Sequence, residues 1–299
     1  MDQRSSWQIQ KAVFHALAIR ELKTRFGGYR LGYFWAVFEP LSHILVLSTL
    51  FSLIRDESGF YNAPFPVFFA TGILSFFVFQ KLVTTSQNSI KANLGLFGFR
   101  QVKPFDAIVV RGIIEFGILI FTMVVLAWLG AWFFALPTLP HDPLKALLVL
   151  AILFSFGLGV GFVTAVIGVM HEEWAQFINT LMRPLYFISG IFFPLAALPE
   201  QYHVYLLWNP LLHGLEQFRS AWIVGYPADQ TSLLYLAVWS LPALLLGLVY
   251  FRANRIRVLM SWFVWITSQS IMQRPKGVST CLKTCLLSCL KKPISGCLV

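Results

Sequence analysis

Charge is what this chain has least of. Only 12 % of its 299 residues are Asp, Glu, Lys or Arg, about half the roughly 25 % usual in a soluble domain. Apolar residues make up 57 %, and several apolar runs pass the 18 or so residues that separate a membrane span from a buried soluble helix. A soluble globular fold is excluded. The runs are continuous rather than alternating in segments of about ten, which excludes a β-barrel. Cysteine is missing from the first 280 residues; Cys281, Cys285, Cys289 and Cys297 all lie near the end. No disulfide can therefore hold the apolar body together. There is no G-x-x-x-x-G-K-[ST], so ATP cannot be held by a P-loop, and neither H-E-x-x-H nor G-x-S-x-G occurs. His43, His203 and His213 are scattered. The acids and histidine of the turn at His171, Glu172 and Glu173 fit no ligand spacing, so no metal is expected. The net charge of +10 is not a nucleic-acid signature, since residues 261–299 carry five basic residues and no acid. Basic residues beside spans record topology. What remains is a path or a scaffold, not an enzyme.

What is present is a series of spans. Residues 33–54 supply 22 mostly apolar positions, enough for a hydrocarbon core of about 30 Å. This first span carries Glu39, then Pro40, then His43. A carboxylate at membrane depth costs about 2.5–3.5 kcal/mol on insertion scales and is read as facing a cavity or a partner. Pro40 removes a backbone donor and predicts a kink. Further spans are expected at 67–85, 107–136, 144–170, 177–194 and 233–251, which makes six. Lys81 lies near the end of the second, where it can snorkel. Arg111 and Glu115 share a helical face in the third and are expected to pair with each other. Gly157, Gly161 and Ala165 form a small-residue face for helix packing in the fourth. Arg183-Pro184 interrupts the fifth. Before the spans, Ile9, Val13 and Leu17 lie on one line with Phe14 beside it, which predicts an interfacial helix. The first 14 residues lack a compact apolar run before a cleavage site, so the first span is expected to direct insertion. Between spans two and three, residues 93–100 suit one or two helical turns broken by Gly95 and Gly98. Between spans five and six, Pro199 and Pro210 divide two short amphipathic pieces, 200–208 and 211–223, expected to dip into the outer leaflet.

Basic residues orient the array. The N-terminal 30 residues hold six, the loop after span two holds three, and the chain from Arg252 holds eight, whereas the opposite loops offer Arg55, Lys145 and Arg219. Both termini are expected in the cytoplasm. The chain then divides into an interfacial helix at 1–30, a membrane domain at 31–257 and a basic, cysteine-containing tail at 258–299.

Three stretches together resemble one family: RELKTRFGGYRLGYFWAVFEPL at 20–41, ANLGLFGFRQVKPFDAIVVR at 92–111, and the late pair FFPLAALPEQ at 192–201 and LLWNPLLHGLEQFR at 206–219. They resemble the permease subunits of ABC-2 exporters, and among these the capsular polysaccharide export permeases of Gram-negative bacteria. The similarity covers about residues 7–257. It implies an inner-membrane homodimer forming a channel, joined to two copies of a separate ATPase that binds the ATP, with no cofactor in this chain. The segment around 88–104 would be a cytoplasmic coupling helix touching the ATPase through Asn93, Leu94, Leu96, Phe97, Arg100 and Lys103. The two short outer helices would gate the periplasmic side. The cargo implied is a lipid-linked acidic polysaccharide, handed to a periplasmic adaptor and an outer-membrane exporter. The tail departs from the family, and export is expected to survive its loss.

The residues suit that implication. Sugar rings present flat apolar faces on which aromatic side chains stack. Tyr29, Tyr33, Phe34, Trp35 and Phe38 are candidates at the inner mouth, and Phe192, Phe193, Tyr202 and Trp208 at the outer. Glu39 is the sharpest channel candidate, and Arg183 and Arg219 can draw an acidic polymer by charge. Other readings are an O-antigen or teichoic-acid permease of the same class, or an ion-coupled carrier relaying through Glu39, Lys81, Glu115 and Arg183. Such carriers show inverted repeats, and none is found here. A membrane glycosyltransferase or acyltransferase would need an acid/His cluster that the sequence lacks.

Overall fold

The computed structural model describes residues 5–26, 32–55, 59–61, 63–99, 101–134, 136, 138–258 and 260. Its helices in chain order are α1 (Ser6–Phe26), α2 (Gly32–Ile54), α3 (Phe65–Ser86), α4 (Pro104–Phe134), α5 (Pro143–Met170), α6 (Glu172–Ile188), α7 (Glu200–Leu206), α8 (Pro210–Trp222) and α9 (Leu233–Ala253). A two-residue antiparallel hairpin, β1 (Gly59–Phe60) with β2 (Ala63–Pro64), tightens the loop between α2 and α3. Among the described residues that hairpin is the one sheet, and the fold is otherwise all-α.

Local chemistry sets the helix starts. Asp142 caps α5 by accepting from the Lys145 amide at 3.0 Å, with Pro143 at the first helical position. Asn209 caps α8 by accepting from the Leu211 amide at 3.0 Å, again ahead of a proline. Asp106 accepts from the Lys103 amide at 3.1 Å, just inside the start of α4 at Pro104. An acceptor beside an N1 proline satisfies an orphan donor and pre-sets the backbone.

The bundle is organised around α3. Of its span-length stretch 78 % is buried, against 17 % for α2 and α9. Phe65, Phe68, Phe69 and Phe76 are among the largest fully enclosed side chains. The glycines of α5 serve two neighbours. Gly157 and Gly161 face Leu82 and Ser86 of α3, as the small-residue spacing predicts. Gly159 meets α9, where a Cβ would stand 2.5 Å from the Leu244 amide nitrogen; across the same seam a Cβ on Gly247 would stand 2.2 Å from the Gly159 carbonyl oxygen. Backbones approach this closely only where no side chain intervenes.

Several expectations change. Among the described residues, five helices are long and apolar enough to cross a membrane: 34–54 within α2, and α3, α4, α5 and α9. The fifth segment, α6, is a 17-residue helix that ends at Ile188, not at 194. It runs through Pro184 and is left by Gly190 at φ +77°, a left-handed turn that suits glycine. Arg111 and Glu115 do not pair with each other. Arg111 pairs with Glu21 of α1 at 3.0 Å, and Glu115 with Arg25 of α1. Helix α1 lies against the start of α4 and supplies the nearer partners. Lys81 pairs with Glu39 instead of snorkelling alone. The segment after α3 forms a 3₁₀ turn over Lys91–Leu96 with Gly95 inside it. The two short helices at Glu200–Leu206 and Pro210–Trp222 agree with the proline-divided reading to within two residues. Most of the tail lies outside the described residues.

Candidate functional site

Helices α2, α3 and α6 line an open cavity of about 520 Å³, within the roughly 300–1,000 Å³ typical of ligand pockets. Glu39, Ser42 and His43 line it from α2, Phe77 and Gln80 from α3, Met182, Arg183, Tyr186 and Phe187 from α6, and Phe192 follows α6. Each helix contributes at three- or four-residue spacing, one face per helix. Lys81 closes one edge, its Nζ donating to both Glu39 carboxylate oxygens at 2.6 and 2.7 Å. Glu39 remains half exposed and Lys81 is more enclosed. The ammonium also sits 5.5 Å from the Phe77 ring centroid. Phe192 stacks on Phe187 at 5.0 Å and meets Tyr186 edge-on at 5.5 Å. His43 lies between Phe77 and Tyr186, 5.7 and 6.4 Å away. The wall thus combines flat aromatic faces, hydroxyl and amide groups, the Glu39 carboxylate and one cation, Arg183, with Lys81 joined to it through Glu39.

The predicted channel residues divide. Glu39, Arg183 and Phe192 share this cavity. Phe34, Trp35 and Phe38 form a separate exposed group near the start of α2, with ring centroids 5.2 to 6.1 Å apart. Tyr29 and the side chain of Tyr33 lie outside the described residues. Phe193 is half-buried nearby, and Tyr202 and Trp208 are exposed on and just after α7. Arg219 departs most from expectation. It is fully buried, donating to the Gly190 and Ile191 carbonyls at 2.6 and 3.0 Å and to Glu216 at 3.1 Å. Its guanidinium lies 3.8 Å from the centroid of Phe68. Burial removes it from any polymer; it pins α8 to α3 and to the turn after α6. Tyr226 completes this cluster, its hydroxyl donating to Glu216 at 2.9 and 3.0 Å. Sequence reading missed Ser42, His43, Gln80, Tyr186 and Phe187 as cavity residues. Their i,i+3 and i,i+4 offsets from Glu39, Phe77 and Arg183 were the available signal.

Helix α8 enters the bundle at an end. Its C-terminal turn meets the start of α5, where the Asp142 amide donates to the Ala221 carbonyl at 2.8 Å and Lys145 donates to Ser220 at 2.7 Å. Its first turns reach deeper, with Gly214 against Leu153 of α5.

At the other pole the predicted coupling residues are anchored from two sides. Ile90 and Phe97 are buried with Ile108, Phe162, Val166 and Phe251, which roots the segment on α4, α5 and α9. Asn93 is buried too, accepting from Arg20 of α1 and donating to the Ser89 carbonyl at 2.7 Å. Arg20 also donates to the Ala92 carbonyl at 2.9 Å, and Gln10 to Asp106 at 2.8 Å. Leu94 and Leu96 are half-buried, Lys103 is exposed, and Arg100 lies outside the described residues. The most exposed large apolar side chain of this segment is Phe99, at 65 %, which sequence reading did not single out.

Long apolar helices packed as a bundle, with a polar, aromatic cavity and a helix-tethered loop at one pole, define the class as a helical membrane protein. Comparison places it more closely. The family model for the ABC-2 type transporter matches residues 12–223, and the chain belongs to that family. It is 38 % identical over 261 residues to the polysialic acid transport protein KpsM of Escherichia coli, covering 86 % of this chain and 99 % of that one. It is 30 % identical over 253 residues to the capsule polysaccharide export inner-membrane protein BexB of Haemophilus influenzae, 82 % of this chain and 92 % of the other. With the capsule polysaccharide export inner-membrane protein CtrC of Neisseria meningitidis serogroup A it shares 28 % over 249 residues, 80 % and 90 % of the two chains. The chain is a multi-pass membrane transport subunit, not an enzyme.

Proposed function

We propose that this chain is the channel-forming permease of an ATP-driven exporter that carries a lipid-linked acidic polysaccharide from the cytoplasm across the bacterial inner membrane. The observation that carries the reading is the cavity of about 520 Å³, whose aromatic rings share a wall with Arg183 and with Glu39, the partner of Lys81. It joins Glu39, Arg183 and Phe192 to a chain whose relatives are named for capsule polysaccharide export. Rings stack on sugar faces and cations attract carboxylates, while no group grips one sugar tightly enough to stall a moving polymer. Two copies face each other across α2 and α6, whose exposed sides flank the cavity.

In this arrangement α6 is the fifth of six crossings. Its 17 residues stand at the short end of the roughly 17–25 that cross a bilayer. Six crossings leave both termini in the cytoplasm, as the basic N-terminal segment requires. The short helices α7 and α8 form the periplasmic gate. Exposed Tyr202, Tyr205 and Trp208 offer an aromatic surface to a periplasmic adaptor, itself joined to an outer-membrane exporter. ATP is bound by a separate ATPase, which docks on the segment carrying Phe97, Phe99 and Lys103 beside α1. The tail at 258–299 has no part in transport.

The test is reconstitution. The chain is expected to copurify with its soluble ATPase, and the pair to move labelled glycolipid into inverted vesicles only with hydrolysable ATP. Transport by the purified chain without any nucleotidase overturns the proposal.

A further inference from the structure

The cavity holds a carboxylate of its own, and that carboxylate occupies a cation. Lys81 gives two hydrogen bonds to Glu39, at 2.6 and 2.7 Å. Glu39 is nonetheless 47 % exposed and lines the open cavity. Arg183, on the facing helix α6, is exposed into the same cavity and has no ion-pair partner among the described residues. A pair kept for stability is normally enclosed on both sides; this one presents its acid to the path. An exposed pair is also weakly held, worth about 0–1 kcal/mol, so a competing anion can displace Glu39 at small cost. Lys81 suits exchange better than arginine would, being a point charge with three rotatable donors rather than a fixed fork.

We propose that the Glu39–Lys81 pair is an exchange site for polymer carboxylates, a reading that rests on the polysaccharide function above. A sugar acid entering the cavity displaces Glu39 from Lys81 and is held between Lys81 and Arg183, with its ring on Tyr186, Phe187 or Phe192. As the chain advances, Glu39 returns to Lys81 and the carboxylate is released to the next position. The pair selects anionic glycans over neutral ones. Glu39 keeps the grip shallow by competing for the same ammonium.

Opposite effects of the two partners test this. The full-length chain with its ATPase, in nanodiscs, is titrated with fluorescent oligosialic acid and with a maltooligosaccharide of matched length. Wild type binds the sialic acid oligomer in a salt-sensitive manner and the neutral oligomer poorly. Lys81→Gln weakens oligosialate binding by about tenfold, as loss of one charge-assisted contact requires. Arg183→Gln weakens it in the same direction. Glu39→Gln strengthens it several-fold, because the internal competitor is gone, and slows ATP-driven export. Thermal unfolding is followed for every variant, and Glu39→Ala serves where the glutamine variant assembles poorly. If Glu39→Gln and Lys81→Gln weaken binding alike while lowering the melting temperature, the pair is only structural and the proposal fails. Equal binding of both glycans by wild type also defeats it, yet leaves the polysaccharide function standing. Binding of neither glycan by wild type overturns both.

Discussion

At the scale of single residues, burial separates the arginines. Arg183 is exposed into the cavity, whereas Arg219 is sealed between α3, α8 and the turn after α6. The sequence places Arg183 inside a span and Arg219 in an outer loop, and neither placement encodes which of the two is buried. Loss of Arg219 strands Glu216, which is itself 1 % exposed, and leaves two carbonyls without their donor. Arg219→Gln is expected to destabilise the protein by about 3–5 kcal/mol, the usual consequence of breaking a buried pair. Arg219→Lys recovers little, because one ammonium cannot reproduce the planar fork across Gly190, Ile191 and Glu216. Melting temperature in detergent checks both; unchanged stability of Arg219→Gln removes the structural role. Gly72 belongs to the same cluster, as a Cβ there would stand 2.4 Å from the Arg219 guanidinium. Gly72→Ala is expected to lower stability by about 1–3 kcal/mol through overpacking.

At the scale of elements, glycine spacing and proline breaks were readable, while partner choice was not. The small-residue face of the fourth span pointed to close packing, and it does meet α3. That Gly159 meets Gly247 of α9 was invisible, because the two belong to helices separated in sequence by α6, α7 and α8. Gly159→Leu forces backbones apart at that seam and is expected to abolish stable expression, whereas Gly117→Leu, where a Cβ has nothing within 4 Å, leaves it unchanged. Western blotting of membrane fractions distinguishes the two. The α1–α4 contact likewise rests on pairs remote in sequence, Arg25 with Glu115 and Glu21 with Arg111. Asn93→Ala removes one of the two acceptors, Asn93 and the Ala92 carbonyl, that join Arg20 to the segment proposed to couple to the ATPase. Export is expected to fall several-fold while ATP hydrolysis by the complex persists, so the ratio of the two rates is the measurement. A proportional fall in both shows that Asn93 only stabilises the loop.

For the whole molecule, orientation and the tail carry the predictions. Truncation before Ser261 removes all four cysteines, and export is expected to continue. That variant is also a cysteine-free background. A single Phe99→Cys placed in it is expected to react with a membrane-impermeant maleimide only in inverted vesicles; labelling in intact spheroplasts places the segment outside and overturns the coupling role. What the sequence settled by itself was governed by run length and local spacing: the five long apolar helices, the small-residue face of α5, and the two short pieces that Pro199 and Pro210 divide between α6 and α9. These depend on the solvent and on neighbours within a turn or two. Only the tertiary structure decided which charge answers which. Glu39 meets Lys81 across 42 residues and Arg25 meets Glu115 across 90. Such pairing follows the rotation and depth at which helices pack, and no local pattern encodes either. The same packing buried Arg219, shortened α6 at Ile188 and gathered one face each of α2, α3 and α6 around a shared cavity.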